Sequence, residues 1–421
     1  MSTTFSNALS GLNASALAID VVSGNLANLN TYGYKSNTVS FQDLINQSLG
    51  SNSGVGSTSV GGSTIAQTTR SFSQGSIQST GQAFDAAVQG NGFFVVRAAS
   101  GQQGFTRAGN FKVDASGHLL TSGGQFVQGW STLSGTLNAS GGVSDITLPI
   151  GGLRQPSQTT AISASANLNA NAAVGSPDAT FSSPIPVIDA QGNTHTVTIT
   201  YTKTAADNWS YTVTIPSADV LNPSGTGTAS TITQGTLTFD GNGHLTSPLA
   251  TSGPVQLQIT GLANGATDMN VNWNIFDGGG VASLTQYAQA SANLGSTQNG
   301  TPSGQLTNMS IGTNGEVLAH YSNGDAIPVA QLALASILNP DSMQDLGDNT
   351  FGVTSATSLP AIGLPGTGSR GQISGGALES STVDIAKEFT NLLIYERGYQ
   401  ANSKVITTED DILQQTVALK R

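Results

Sequence analysis

The chain has 421 residues, a net charge of −11 and only 9% charged side chains. Its 13 Lys and Arg cannot supply the clustered cations that a phosphate backbone requires, which excludes nucleic acid as a partner. The absence of cysteine excludes a disulfide framework and thiolate chemistry.

The segment from Met1 to Leu12 has no basic residue and no continuous apolar core, so it does not read as a secretory signal peptide. No apolar run reaches the roughly 18 residues that cross a bilayer, so no membrane insertion is expected. Residues 1–30 predict a helix. Phe5, Leu9, Leu12, Ala16, Ile19, Ser23 and Leu26 recur at spacings of four and three, a heptad stripe. The rest of that helix is Ser, Asn, Gly and Ala, and Asp20 is its one charge before Lys35.

Residues 50–63 are almost pure Gly, Ser and Val, the composition of an extended connector. Beyond them, short β-branched or alternating runs are separated by Gly, Asn and Asp turns. Phe93–Val96, Thr194–Tyr201, Tyr211–Ile215, Val255–Ile259 and Val329–Ile337 are the clearest strands. Three segments, 111–119, 237–245 and 310–318, repeat a strand, a turn with glycine, and a strand. They read as hairpins whose glycine takes positive φ. Composition shifts near 149–160 and at Asp277-Gly278-Gly279-Gly280 bracket an inserted β region, and a Gly-rich stretch from Pro360 to Gly376 reads as a second connector.

The chain then predicts a second helix. Ser381-Thr382-Val383-Asp384 offers capping side chains. Ile385, Phe389, Leu392, Tyr399, Ile406, Leu413 and Val417 share a stripe broken by Glu396, Ser403 and Asp410. Residues 378–421 hold 12 of the 37 charged side chains, so the two terminal helices differ sharply. The fold class that follows is a mainly β, multidomain body with an N-terminal and a C-terminal α-helix paired in a coiled-coil-like terminal domain. The expected parts are a helical domain of 1–30 plus 378–421, a connector of 31–70 plus 360–377, a middle β domain of 71–148 plus 285–359, and an outer β domain of 149–284. Stripes at both ends of a chain, beyond connectors, have only each other or neighbouring copies to bury against. Self-assembly through them is the functional expectation.

Nothing points to catalysis. His118, His195, His244 and His320 read as surface residues, three of them at or just after turns, without metal-ligand spacing. Asp240-Gly241-Asn242-Gly243 lacks the alternating acids of a calcium loop. Gly366-Thr367-Gly368-Ser369-Arg370-Gly371 fits G-x-G-x-x-G, but another Gly-rich loop follows it where a dinucleotide site needs a helix. No G-x-S-x-G elbow occurs. No enzyme, cofactor or metal site is expected.

Asn25-Leu26-Ala27-Asn28-Leu29-Asn30-Thr31-Tyr32-Gly33-Tyr34-Lys35 resembles the signature of bacterial flagellar axial proteins, the rod and hook subunits. Within it Asn28, Asn30, Thr31, Gly33, Tyr34 and Lys35 carry the match. Gly90–Val96, Phe105–Phe111 and Tyr395–Lys404 are similar to that family's β-domain entry and C-terminal helix motif. The length, the insertion and Pro328–Leu334 resemble its hook members more than its shorter distal rod members. The resemblance implies a homo-oligomeric tube outside the outer membrane, acting as a universal joint between rod and filament. It implies the distal rod, a hook cap, hook–filament junction proteins and a hook-length control protein as partners, and export through a type III apparatus without a cleaved signal. It also implies terminal helices innermost, Gly90–Trp130 outside them and the insertion outermost. The charges then place the C-terminal helix, with Glu388, Glu396, Arg397, Lys404 and Asp410, along a water-filled channel and the uncharged N-terminal helix behind it. Two other readings stand: a straight distal rod subunit, and a secreted β-rich adhesin binding glycans through its Thr-rich insertion.

Overall fold

The structure is a computed structural model that describes residues 3–45, 62–132, 141–224 and 227–418. The chain divides into two compact units. The first is Met1–Ile150 with Asn308–Ala319 and Ala326–Arg421; the second is Gly151–Thr307 with His320–Asp325.

The first unit opens with helix α1, Thr3–Ala27. Asn28 closes it: its side-chain amide donates to Gly24 O at 2.9 Å, filling an end carbonyl, and its oxygen accepts from Thr31 Oγ1 at 3.1 Å. A two-stranded antiparallel hairpin follows, β1 (Asn37–Ile45) and β2 (Gly62–Arg70). Most of the 50–63 connector expected from composition lies outside the described residues. The unit ends with helix α2, Ile385–Ala418. Asp384 caps it, as its carboxylate accepts from the amides of Ala386 (2.9 Å) and Lys387 (3.1 Å).

Between the helices the first unit is β structure. Phe93–Arg97 pairs with Gln103–Thr106, Phe126–Ser131 and Leu334–Ser336. Its core gathers Phe93, Val95, Phe105, Trp130, Ala333, Ala335, Ile337 and Phe351. Phe72, Phe93 and Phe351 meet edge-to-face with centroids 5.4–6.2 Å apart, a favoured aromatic geometry. Residues 360–377, expected as a connector, instead join this body. Ala361–Gly363 pairs with Leu334–Ser336, and Gln372–Gly375 pairs with Ala86–Gln89. The glycines there serve tight turns, with Gly366 and Gly368 at positive φ. The Arg370 guanidinium ties the loop by donating to Leu364 O (3.0 Å) and Thr367 Oγ1 (2.7 Å). The G-x-G-x-x-G run is therefore a folded loop.

The second unit is a β-sandwich. One antiparallel sheet runs Thr180–Ile188, Thr194–Ala205, Asn208–Pro216, Ala229–Phe239 and Leu245–Ser247. The other is built around Ala161–Asn169. Period-2 alternation sends Val197, Ile199, Tyr201, Trp209, Tyr211 and Val213 inward, onto Ile162, Leu168, Leu257, Val271 and Trp273 of the facing sheet. The unit continues past residue 284, because Leu284–Tyr287 and Ala292–Gln298 both pair with Ala161–Asn169. The hairpins read from the sequence are present, with Gly117, Gly243 and Gly315 at φ of 88°, 78° and 77°. In the first two an aspartate stabilises the turn: Asp114 accepts from the amides of Ser116 and His118, and Asp240 from those of Asn242 and His244.

Candidate assembly site

α1 and α2 pack antiparallel. Gly11 faces Asn402, Ser15 faces Gly398, and the Asn25 side-chain amide donates to Glu388 Oε1 at 3.2 Å. The face that α1 buries is Ala8, Ala14, Ser15, Ala18, Val22 and Asn25. These small side chains let the helices approach closely, and Gly11 has no Cβ where Asn402 comes down.

The heptad stripe of α1 is a different face. Leu9 is 42% exposed, and Phe5, Leu12, Ala16, Ile19 and Leu26 are only half-buried. On α2, Leu392 and Ile406 are half-buried. Ile385, Phe389, Tyr399 and Leu413 are exposed, as are Leu393 and Ile394 at 58% each. The side chain of Val417 lies outside the described residues. The large apolar side chains of both stripes therefore do little to hold the two helices together, and small residues make the seam.

The charges on α2 divide likewise. Glu396, Arg397, Lys404 and Asp410 are exposed. Glu388, expected beside them along a channel, is only 5% exposed. It sits one turn into α2 on the side facing α1, where the Asn25 amide holds its carboxylate. Asn25 is fully buried and fully used, since it also donates to Asn37 O (2.7 Å) and accepts from Asn37 N (2.9 Å) and Tyr34 Oη (3.3 Å). Burial raises the Tyr34 phenol above its ordinary value.

The motif after α1 builds a buried anchor. Asn30 is exposed at the turn, while Asn28 and Thr31 border a polar cleft of about 400 Å³ with Tyr32, Ser122, Asp348 and Asn349. Gly33 takes φ +70° and donates its amide to Glu379 O at 2.8 Å. Lys35 then turns inward until no part of its side chain is exposed. Its ammonium donates to Glu379 Oε1 at 2.7 Å and to Ser73 O at 2.6 Å. The second Glu379 oxygen meets Arg107 Nη1 at 3.3 Å, and Gly75 N donates to the first at 2.7 Å. Arg107 Nη2 also donates to Gly90 O at 2.8 Å, and its guanidinium lies 5.2 Å from the centre of the Phe93 ring. Desolvation pulls both Lys35 and Arg107 below their ordinary values, and the Glu379 charge opposes it. One carboxylate thus joins the segment after α1, the β body, and the short strand Ala377–Glu379 that leads to α2.

Sequence reasoning named Lys35 and placed Arg107 in a motif, but it missed Glu379, Asn25 as a linchpin, and the small-residue seam. One signal was available for Glu379: a lone charge after Gly375-Gly376-Ala377-Leu378 in a chain with few charges. His195 also departs from expectation. It is 7% exposed, with Nε2 at 3.1 Å from Asp189 and Nδ1 at 3.1 Å from Asp219. It lies on the inward-facing alternation of Thr194–Ala205, which overrides its place beside a turn.

Four family descriptions match the chain: "Flagella basal body rod protein" at residues 5–35, "Flagellar hook protein FlgE/F/G D1 domain" at 87–167, "Flagellar basal body protein FlaE D2 domain" at 159–301, and "Flagellar basal body rod FlgEFG protein C-terminal" at 374–419. The flagellar hook protein FlgE of Salmonella typhimurium is 32% identical, covering 99% of this chain and 100% of its own. That of Treponema pallidum is 31% identical over 98% of each chain, and that of Rhizobium meliloti 33% over 99% of each. In fold, the chain is similar to the crystal structure of Helicobacter pylori flagellar hook protein FlgE2. The TM-score is 0.53 at 16% identity, covering 70% of this chain and 99% of that one.

Proposed function

The chain belongs to the flagellar hook protein family and is a structural subunit of the flagellar hook, and on that premise we propose how it assembles and bends. The observation that carries the proposal is the exposure of large apolar side chains along both terminal helices, Leu9, Ile385, Phe389, Leu393, Ile394 and Leu413 among them. Neighbouring copies cover them in the tube. A row of exposed apolar residues on a surface otherwise coated with amides and hydroxyls is the mark of an interface. The subunit's own small-residue seam sets the angle at which that interface is presented.

In the tube, the exposed Glu396, Arg397, Lys404 and Asp410 support a water-filled channel lined by α2, with α1 behind it. A tube in which α1 faces the channel overturns this arrangement. The hook works as a universal joint between rod and filament, and its finer partners are the distal rod, a cap, junction proteins and a length-control protein. Its subunits reach their place unfolded, by type III export, a route that the absence of cysteine suits. The role is architectural, with no chemistry of its own.

The test is the pair Leu393→Asp and Leu413→Asp in the purified full-length chain. Both sites are exposed in the subunit, so helicity is unchanged and stability stays within about 0.5 kcal/mol of the parent. Electron microscopy then shows the parent forming curved tubes and the variants none. Tubes formed normally by both variants would refute the interface, and straight parent tubes would favour a rod subunit.

A further inference from the structure

His195 is the one buried histidine of the chain, and its two ring nitrogens are used unequally. Nε2 meets Asp189 Oδ2 at 3.1 Å. The Asp189 side chain has no exposure, and it is already held by the amides of Gln191 and Asn193 and by the side-chain nitrogens of Asn193 and Asn264. An ionised carboxylate only accepts, so Nε2 carries the hydrogen and the neutral ring keeps its lone pair on Nδ1. Nδ1 is buried and makes no hydrogen bond, although Asp219 Oδ2 stands 3.1 Å away. At that separation a hydrogen bond fails through direction, so the oxygen lies off the axis of the ring nitrogen.

That offset is the geometry of chelation. A metal about 2.0–2.1 Å from an imidazole nitrogen and from a carboxylate oxygen holds the two atoms about 3.0–3.4 Å apart, with the metal rather than the oxygen on the lone-pair axis. A metal-ligating imidazole commonly donates its other N–H to a carboxylate, which fixes the tautomer and the ring plane. Asp189 does this for His195. Asp219 is held in place by backbone bonds. It ends the short turn Ser217–Asp219, its carbonyl accepts from Ala263 N at 2.9 Å, and Leu221 N donates to Gly261 O at 2.8 Å. Its side chain is 30% exposed, which leaves a way in from solvent.

We propose that His195 Nδ1 and Asp219 Oδ2 form a binding site for a divalent transition metal of the zinc type, with Asp189 as the positioning residue behind the ring. One imidazole and one carboxylate suit such a metal better than calcium or magnesium, which take oxygen alone. No third His, Cys, Asp or Glu converges on the site among the described residues, so water completes the coordination and the metal exchanges readily. Once bound, it ties the strand Thr194–Ala205 to the turn Ser217–Asp219. That turn is bonded in its own right to the loop 261–265, between two strands of the facing sheet. The metal therefore pins one end of the sandwich and stabilises the second unit by mass action.

The test titrates zinc chloride into the untagged, metal-stripped full-length monomer by calorimetry. The parent should bind zinc, and its thermal midpoint should rise by a few degrees at saturation. His195→Gln and Asp219→Ala should each weaken zinc by at least about tenfold. The Asp219 variant keeps the backbone bonds of its turn, so it reads the metal without disturbing Asp189. His244→Gln serves as the control, because that histidine is 65% exposed and 3.7 Å from Asp240, and it should leave the affinity within about twofold. A parent that binds no zinc, or an Asp219→Ala variant that binds it as tightly as the parent, would overturn the site. Loss of binding in His244→Gln with retention in Asp219→Ala would overturn it too, by placing the metal elsewhere.

Discussion

Gly11 of one terminal helix faces Asn402 of the other: a Cβ on Gly11 would stand 2.8 Å from the Asn402 side-chain nitrogen. Asn402 can swing its amide aside, so Gly11→Ala is tolerated. Gly11→Leu cannot be accommodated and pushes the helices apart, at a cost of about 1–3 kcal/mol. The expected result is a lowered melting midpoint by far-UV circular dichroism and faster protease cleavage within α2. An unchanged midpoint would show that the helices do not meet here.

Lys35→Met leaves Glu379 buried with Arg107 as its one remaining ion-pair partner among the described residues. Removing one partner of a buried pair costs about 3–5 kcal/mol, most of it the burden of an uncompensated charge. Urea unfolding of the monomer should show that loss. Adding Glu379→Gln to Lys35→Met should recover part of it, since the stranded charge is gone. A single variant as stable as the parent would contradict the anchor.

Gly33→Ala strikes the same anchor through the backbone. Gly33 lies at φ +70°, and an added Cβ would come within 2.6 Å of the main chain at Arg107 and Ala108. Main chain cannot turn away as Asn402 can, so the loss exceeds the roughly 1 kcal/mol typical of strained φ alone. The thermal midpoint of Gly33→Ala, set beside that of Gly81→Ala, separates the two effects. Gly81 has φ +68° with nothing within 4 Å of an added Cβ, and its substitution should cost less.

Asp189 gives the second unit a pH dependence. Burial pushes its carboxyl up, but hydrogen bonds from Asn264, Asn193 and His195 outweigh this and hold it at about 2, against an ordinary 3.8. Between those values the unfolded chain binds more protons than the folded one, so stability rises with pH across that window. The contribution is complete above about pH 4 and lost as pH falls toward 2, and it is worth about 2 kcal/mol. In a Trp130→Phe background, Trp209 and Trp273 report from the core of this unit. Asp189→Asn should lower stability by that amount at pH 7 and by little at pH 2. Equal losses at both would show that the carboxylate's charge is irrelevant.

The sequence revealed elements better than surfaces. Strands such as Thr194–Ala205 announce themselves because one face is Val197, Ile199 and Tyr201 and the other is threonine. Asp384 as a cap and Gly243 at positive φ are local chemistry, readable in a few residues. The helix stripes were equally plain, yet they pointed outward. A heptad pattern marks large apolar side chains, and in this subunit Phe389 and Leu413 are left exposed while Ala18 and Gly11 close the seam. Ala8, Gly11, Ser15, Ala18 and Val22 recur at the same spacings of three and four, but small side chains do not stand out as an apolar stripe beside larger ones. Glu379 and Lys35 were illegible as a pair because nothing local links two charges that far apart. Glu388 read as a solvated charge because its partner, Asn25, belongs to the other helix.

The Lys35–Glu379 contact joins residues 344 positions apart, and α1 finds its seam only on a helix that begins at Ile385. Closing a loop of that length is slow relative to local structure. A chain that emerges from its N-terminus therefore carries α1 and an unanswered Lys35 until almost all of it is present. The angle between the terminal helices, and with it the surface offered to the growing tube, is fixed last. Completion of the chain acts as its own timer, and partial chains have no finished surface to offer.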